Sequence, residues 1–260
     1  MKTSRLFLLA AAAAFSSLQA GEIKKGTFPE GAPDAIPYQL FIPDNPGNKP
    51  LPLVVCFHGA AGRGNDNTAR GIHAFEVLSS PEVQKEHPAY LLAPQCPMSD
   101  KWVNVTWSDG GFSLKDSPIS KSLKTALDLV RSVAVTNRVD PDRIYVTGQS
   151  MGGYATWYSI LSNPDFFAAA VPVCGGGDPS AAERIKNVAV WTFHGADDKT
   201  VPPKGSRDMF ERLKALGAPV KYTEYPGVGH MSMNPAWAQP GLIPWLFEQK
   251  KSSGTTAPKP

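Results

Sequence analysis

Ser150 stands in the run Gly148-Gln-Ser-Met-Gly152, with a glycine two positions away on either side. A serine hydroxyl is a weak nucleophile at neutral pH. It attacks a carbonyl when a histidine takes its proton and a carboxylate orients that histidine. The residues before it, Ile144-Tyr-Val-Thr147, have the pattern of a short buried strand. Those after it, Gly153 to Leu161, read as a helix that stops at Asn163-Pro164. A sharp strand-to-helix turn lifts its central side chain above the sheet edge. The flanking glycines let strand and helix approach closely. The chemistry predicted here is acyl transfer through a serine adduct.

In such an arrangement the carboxylate and then the histidine follow the serine along the chain. His194-Gly-Ala-Asp-Asp-Lys-Thr-Val-Pro202 offers two adjacent carboxylates after a strand pattern. Neighbouring side chains cannot both face one imidazole. Asp198 is the favoured orienting group, and Asp197 reads as a turn residue. Pro226-Gly-Val-Gly-His230 is a glycine-bearing loop after the last strand pattern, and His230 is the expected general base. His73 and His87 precede the serine and read as surface or packing residues, while His194 suits a structural hydrogen bond.

An oxyanion needs two backbone N–H donors. The residue after the serine, Met151, supplies one. The loop His58-Gly-Ala-Ala-Gly-Arg-Gly-Asn65 supplies the other, with Ala60 best placed. That loop lacks the Gly-Lys-Ser/Thr ending of a phosphate loop. Gln149 and Met231 flank the serine and histidine and are candidates for the pocket border. These residues call for neither a metal nor an organic cofactor.

The elements that must position them alternate between strand and helix. Ile36–Pro43 reads as an edge strand bounded by prolines, within a leading antiparallel section over 21–50. Leu51–Phe57, Ala89–Ala93, Ala168–Cys174, Val188–His194 and Val220–Tyr225 read as further strands. Helices are expected over about 67–86, over Pro118–Asn137 with Pro118 in the first turn, and over Pro203–Leu216 ended by Gly217. A closing helical region, Pro235–Gln249, is expected to break at Pro240 and Pro244. Strands apolar on both faces, alternating with helices, predict an α/β fold with a mostly parallel sheet covered on both sides. Ligands bind such sheets at the carboxyl ends of the strands, where the candidate serine, aspartate, histidine and oxyanion donors fall.

Lys2 and Arg5, the apolar run Leu6–Phe15 and the small residues up to Ala20 read as a secretory signal peptide over 1–20. Residues 21–250 suffice for one domain, and the Ser/Thr/Pro-rich segment 251–260 reads as a disordered tail. The formal charge of the 260-residue chain is +3, and two of its cations lie in the leader. No basic stripe is present, which disfavours nucleic acid and anionic membranes as partners. Export implies an oxidising compartment, which permits disulfides. Of Cys56, Cys96 and Cys174, the last two could pair, but three free buried thiols are the favoured reading.

Six stretches together carry a resemblance: His58-Gly-Ala60, Ala93-Pro-Gln-Cys-Pro97, Asp140 to Gly153, Val171-Pro-Val-Cys-Gly-Gly-Gly177, His194-Gly-Ala-Asp-Asp198 and Gly227-Val-Gly-His230. With them the chain resembles secreted α/β-hydrolases of the esterase branch that includes polyhydroxybutyrate-depolymerase-like, feruloyl and acetylxylan esterases. It is similar, too, to bacterial "predicted peptidases", or prolyl-oligopeptidase-like esterases. The resemblance implies a serine carboxylic-ester hydrolase acting through an acyl-enzyme, without cofactor. Its substrates would be short-chain or aromatic acyl esters of carbohydrates or other bulky alcohols. A serine peptidase and an idle hydrolase-fold binding protein are the alternatives. The first is disfavoured by the lack of a substrate-sorting domain, the second by the complete set of reacting groups.

Only Gly175–Asn187 separates Cys174 from the next strand, too little for a cap domain. An open site for a small-molecule or polymer-borne ester is therefore expected. The long loop over 94–117 carries Trp102 and Trp107. These either form an aromatic wall for a sugar or phenolic group or anchor the loop to the domain.

Overall fold

The computed structural model describes residues 20–44, 48–68 and 72–251. Apart from Ala20 and Lys251, the leader and tail expected from sequence lie outside them. Eight strands form one sheet: β1 (Gly21–Phe28), β2 (Ile36–Pro43), β3 (Leu51–Phe57), β4 (Tyr90–Pro94), β5 (Val139–Gln149), β6 (Ala169–Val173), β7 (Ala189–Gly195) and β8 (Val220–Tyr225). The spatial order is β1-β2-β4-β3-β5-β6-β7-β8. β1 pairs antiparallel with β2, and β2 antiparallel with β4. All other pairings are parallel. Among the described residues five α-helices lie between strands, α1 (His73–Leu78), α2 (Pro81–Glu86), α3 (Lys121–Thr136), α4 (Met151–Ser162) and α5 (Lys204–Ala215), and two follow β8, α6 (Met233–Trp237) and α7 (Leu242–Glu248). This is the α/β-hydrolase architecture. The segment between β6 and β7 holds only a short 3₁₀ helix, Pro179–Ile185, and no cap domain.

The central strands are apolar on both faces because each face has its own core. On β3, Leu53, Val55 and Phe57 join one cluster with Leu123, Val130 and Trp157 of α3 and α4. Val54 and Cys56 join the other with Phe75, Leu78, Trp237 and Leu246 of α1, α6 and α7. The period-2 alternation of a strand divides its side chains between these two layers. Among the described residues, no helix is long and apolar enough to cross a membrane.

Four sequence expectations need correction. β2 is not an edge strand. β1 runs along its whole outer side, from Gly21↔Pro43 to Phe28↔Ile36. Pro37 and Pro43 sit near the strand ends, where a missing donor costs little. The helical stretch before β4 is two short helices, because Ser80 caps a new one, accepting from Val83 N–H at 3.4 Å with Pro81 at its first position. α3 begins at Lys121 rather than Pro118, because the Ser120 hydroxyl accepts the Leu123 N–H (3.1 Å) and fixes the start there. Ile119 is left outside the helix and partly exposed. The closing region breaks around Pro240, between α6 and α7, but not at Pro244. Pro244 falls in the first turn of α7, where an N–H has no intrahelical acceptor to lose.

Ser120 does two jobs, since its hydroxyl also donates to the Trp102 carbonyl at 2.7 Å and so ties the long loop to the start of α3. Ser120→Ala should therefore cost about 1–2 kcal/mol. A thermal melt should show a Tm lower by roughly 2–8 °C, with turnover per active site unchanged.

Candidate active site

β5 ends at Gln149, α4 begins at Met151, and Ser150 alone makes the turn, with φ 55° and ψ −119°. A non-glycine residue in that region is strained by about 1–3 kcal/mol. Its surroundings over-determine it. The Ser150 N–H donates to the Val173 carbonyl of β6 (3.0 Å), and its carbonyl accepts from Tyr154 N–H (3.1 Å). The flanking glycines are required sterically. A Cβ on Gly152 would lie 2.2 Å from the Phe57 carbonyl oxygen, and one on Gly148 would lie 2.4 Å from that of Gly152. The turn therefore threads between β3 and α4 with no room for a side chain.

The Ser150 hydroxyl points at the loop after β8. Its Oγ lies 2.9 Å from His230 Nε2, and His230 Nδ1 lies 2.7 Å from Asp198 Oδ2. The sequence-predicted serine, histidine and aspartate, far apart in the chain, thus form one hydrogen-bonded line. Asp197, by contrast, is exposed and takes no part, its backbone N–H donating to the Val228 carbonyl at 3.0 Å.

Asp198 is held from several sides. Oδ1 accepts from the N–H groups of Thr200 (2.9 Å) and Val201 (3.0 Å). Behind it His194, fully buried, places Nε2 3.4 Å from Oδ2. The same nitrogen lies 2.9 Å from the Val201 carbonyl, which can only accept, so Nε2 carries the proton. Burial alone would raise the Asp198 carboxyl. Hydrogen bonds from His194, Val201 N–H and His230 outweigh it and hold the group well below the usual carboxylate range. Asp198 is thus a fixed anion facing the imidazole. His194 fills the structural role its position suggested.

Met151 is the first residue of the 12-residue helix α4, so its N–H sits at the positive end of the helix dipole. The Ala60 N–H is in the loop after β3. Gly59, beside it, packs against the turn: a Cβ there would lie 3.6 Å from Ser150 Cβ. Among the described residues, neither N–H has an acceptor.

Of the expected pocket residues, Gln149 lies at the turn, where its Cγ would be 3.7 Å from a Cβ placed on Gly59. Met231 is exposed beside His230. Trp102 is not a wall. It is 0% exposed, packs between Phe57 and His58 with ring centroids 5.0 and 5.1 Å away, and donates its indole N–H to the His58 carbonyl (3.2 Å). An indole wholly inside the core cannot meet a ligand. Trp107 is half-buried against the core and takes a hydrogen bond on its carbonyl from Tyr154 Oη (3.0 Å).

Cys56, Cys96 and Cys174 are all free and buried, so Cys96 and Cys174 do not pair. One cluster among the described residues has the composition of a metal site. Cys174, Asp198 and His230 bring ligand atoms within 4.8 Å of one another. Asp198 and His230 are already bonded to each other there, and burial pushes the Cys174 thiol up to about 12, so the cluster is occupied as an acid–base pair.

Two variants test these placements. Asp198→Asn should lower turnover by orders of magnitude, whereas Asp197→Asn should change it less than about threefold. Because the folded carboxyl is depressed, Asp198 contributes stability above its unfolded pKa, and this is lost as pH falls through the folded value. The drop in Tm from about pH 5 to about pH 3 should therefore be shallower in Asp198→Asn than in the parent. Trp102→Ala should cost about 3–5 kcal/mol and reduce hydrolysis of small and bulky esters alike. A selective loss on bulky esters at unchanged Tm would restore the wall.

Known proteins resemble this chain in sequence and in fold. The dienelactone hydrolase family model matches residues 110–240. "Probable carboxylesterase SOBER1-like" of Arabidopsis thaliana is 25% identical over 196 residues, covering 70% of this chain and 74% of that one. "Poly(3-hydroxyalkanoate) depolymerase C" of Paucimonas lemoignei is 26% identical over 195 residues, but the match spans only 44% of its length. The crystal structure of a thermostable esterase superposes with a TM-score of 0.80 at 37% identity, over 88% of this chain and 63% of that one. An elbow-borne serine at the carboxyl edge of a mostly parallel sheet and a family match over half the sequence point the same way: this chain is an α/β-hydrolase-fold enzyme and belongs to the dienelactone hydrolase family.

Proposed function

We propose that this enzyme is a serine carboxylesterase working through an acyl-enzyme. The Ser150–His230–Asp198 hydrogen-bonded line carries the reading. Ser150 Oγ attacks the ester carbonyl carbon while His230 Nε2 takes its proton. Asp198 holds the imidazole with Nδ1 protonated and offsets the positive charge that forms on it. The carbonyl oxygen becomes an oxyanion facing the N–H groups of Met151 and Ala60. The tetrahedral adduct collapses, the C–O bond to the alcohol breaks, and His230 returns the proton to the departing oxygen. A water then repeats the sequence on the acyl-enzyme and releases the acid and free Ser150.

The substrates proposed are short-chain or aromatic acyl esters of carbohydrates or other bulky alcohols. The short β6–β7 connection supports this, because it carries one short 3₁₀ helix and no cap domain. The leader read in residues 1–20 supports a secreted or periplasmic location.

Ser150→Ala should reduce turnover of p-nitrophenyl acetate by about a thousandfold or more, with Tm unchanged. Wild-type turnover in the folded variant would reject the mechanism. A panel of acetyl, butyryl and feruloyl sugar esters beside short peptides separates esterase from peptidase. Failure of a fluorophosphonate to label Ser150 would favour an idle scaffold.

A further inference from the structure

The stretch Pro94-Gln-Cys-Pro97 has no part in the reaction as derived. The Gln95 N–H donates to the Pro37 carbonyl (2.7 Å), but the Gln95 carboxamide and the backbone groups of Cys96 are spent on the loop that bears Ala60. Gln95 is 2% exposed. Its Nε2 donates to the Gly62 carbonyl (3.1 Å) and to Asp66 Oδ1 (2.8 Å), and its Oε1 accepts from the Asn67 N–H (2.8 Å). The next residue continues the clamp. The Cys96 N–H donates to His58 Nε2 (2.9 Å), and the Cys96 carbonyl accepts from Gly64 N–H (2.9 Å).

These bonds fix a tautomer and, through it, a peptide plane. An imidazole nitrogen that accepts leaves the proton on the other nitrogen. His58 therefore carries it on Nδ1 and donates it to the Gly59 carbonyl (2.6 Å). Gly62 N–H donates to that same carbonyl at 3.0 Å. In a trans peptide the C=O and N–H point in opposite directions. Holding the Gly59 carbonyl against His58 turns the Ala60 N–H away from the ring. Burial brings the His58 imidazole down to about 4, so it stays neutral and keeps this tautomer above mildly acidic pH.

We propose that Gln95, acting with His58, is the positioning residue for the oxyanion donor: its carboxamide sets the 58–67 loop so that the Ala60 N–H faces the tetrahedral oxygen. This rests on the serine-esterase reading above. Removing an oxyanion donor outright lowers kcat by about 10²–10³. A donor kept but misaimed should cost less, about 10- to 100-fold.

Gln95→Leu removes all three bonds at similar size. Gln95→Glu keeps the acceptor for Asn67 N–H, loses both donors and sets a carboxylate against Asp66. Gln84→Leu is the control. Gln84 is equally buried and clamps the α2–β4 connection, donating to the Leu78 carbonyl (2.8 Å) and accepting from Ala89 N–H (3.1 Å), away from the site. The readouts are kcat and KM for p-nitrophenyl acetate per fluorophosphonate-titrated site, Tm, and the inhibition constant of phenylboronic acid. The boronate's tetrahedral adduct with Ser150 places an oxygen where the oxyanion forms.

Both Gln95 variants should lose about 10- to 100-fold in kcat with KM within about threefold, and boronate affinity should fall in parallel. Gln84→Leu should lower Tm alone. Wild-type kcat and boronate affinity in either folded Gln95 variant would overturn the proposal. So would a fall in kcat with boronate affinity intact. Should Gln95→Leu fail to fold, Gln95→Glu decides the question with the same readouts. Turnover surviving Ser150→Ala would sink the esterase reading itself, whereas an essential Ser150 with a dispensable Gln95 sinks only this inference.

Discussion

The close crossing of the β5–α4 turn over β3 and β6 is the constraint on which the site depends. Backbone meets backbone there. The Phe57 carbonyl lies 2.2 Å from where a Gly152 side chain would begin, and Ser150 N–H is tied to Val173. That contact holds Ser150 at a positive φ that an unconstrained serine would abandon. It also brings the first N–H of α4 and the Gly59–Ala60 peptide to the same few ångströms as the hydroxyl. The sheet keeps these groups in place by burying its central strands on both faces, so that the turn has nowhere to relax.

A second fixed point is Asp198. Two backbone N–H groups and two histidines surround one carboxylate. The arrangement keeps an anion inside the protein without leaving it unpaired, which would otherwise cost several kcal/mol. His194 is in turn held, with Nδ1 2.8 Å from Ser206 Oγ, which itself lies 2.8 Å from the Gly175 carbonyl oxygen. The support for the acid thus runs from β7 through α5 to the end of β6, the strand beside Ser150. The loop over 107–114 is fastened to that same region by Phe112 N–H on the Gly177 carbonyl and Leu114 N–H on Asp178.

Much of this could be read along the chain. Ser150 between its glycines and the order serine, aspartate, histidine were legible because a strand-turn-helix needs particular residues at particular places. The parallel sheet was legible because strands buried twice are apolar throughout. Local rules failed where two segments compete for one place. The prolines of β2 suggested an edge, but an edge is defined by what lies beside a strand, and β1 lies there. Pro118 suggested a helix start, but Ser120 made the better cap by two hydrogen bonds. Pro244 suggested a break, yet in a first turn it removes no bond.

The sequence by itself marked Ser150, His230 and the Asp197–Asp198 pair as candidate reacting groups and pointed to the type of fold, since both follow from residue chemistry and short-range pattern. The tertiary structure turns Asp198, the aspartate that the sequence favoured, onto His230 and leaves Asp197 exposed. Two adjacent aspartates are chemically identical until the backbone turns one inward. It also placed Trp102 in the core and not on a surface, because an aromatic residue in a long loop carries no local signal of which way it faces. It brought the carboxamide of Gln95 onto a loop some thirty residues earlier, a pairing that exists only because β3 and β4 lie side by side in the sheet.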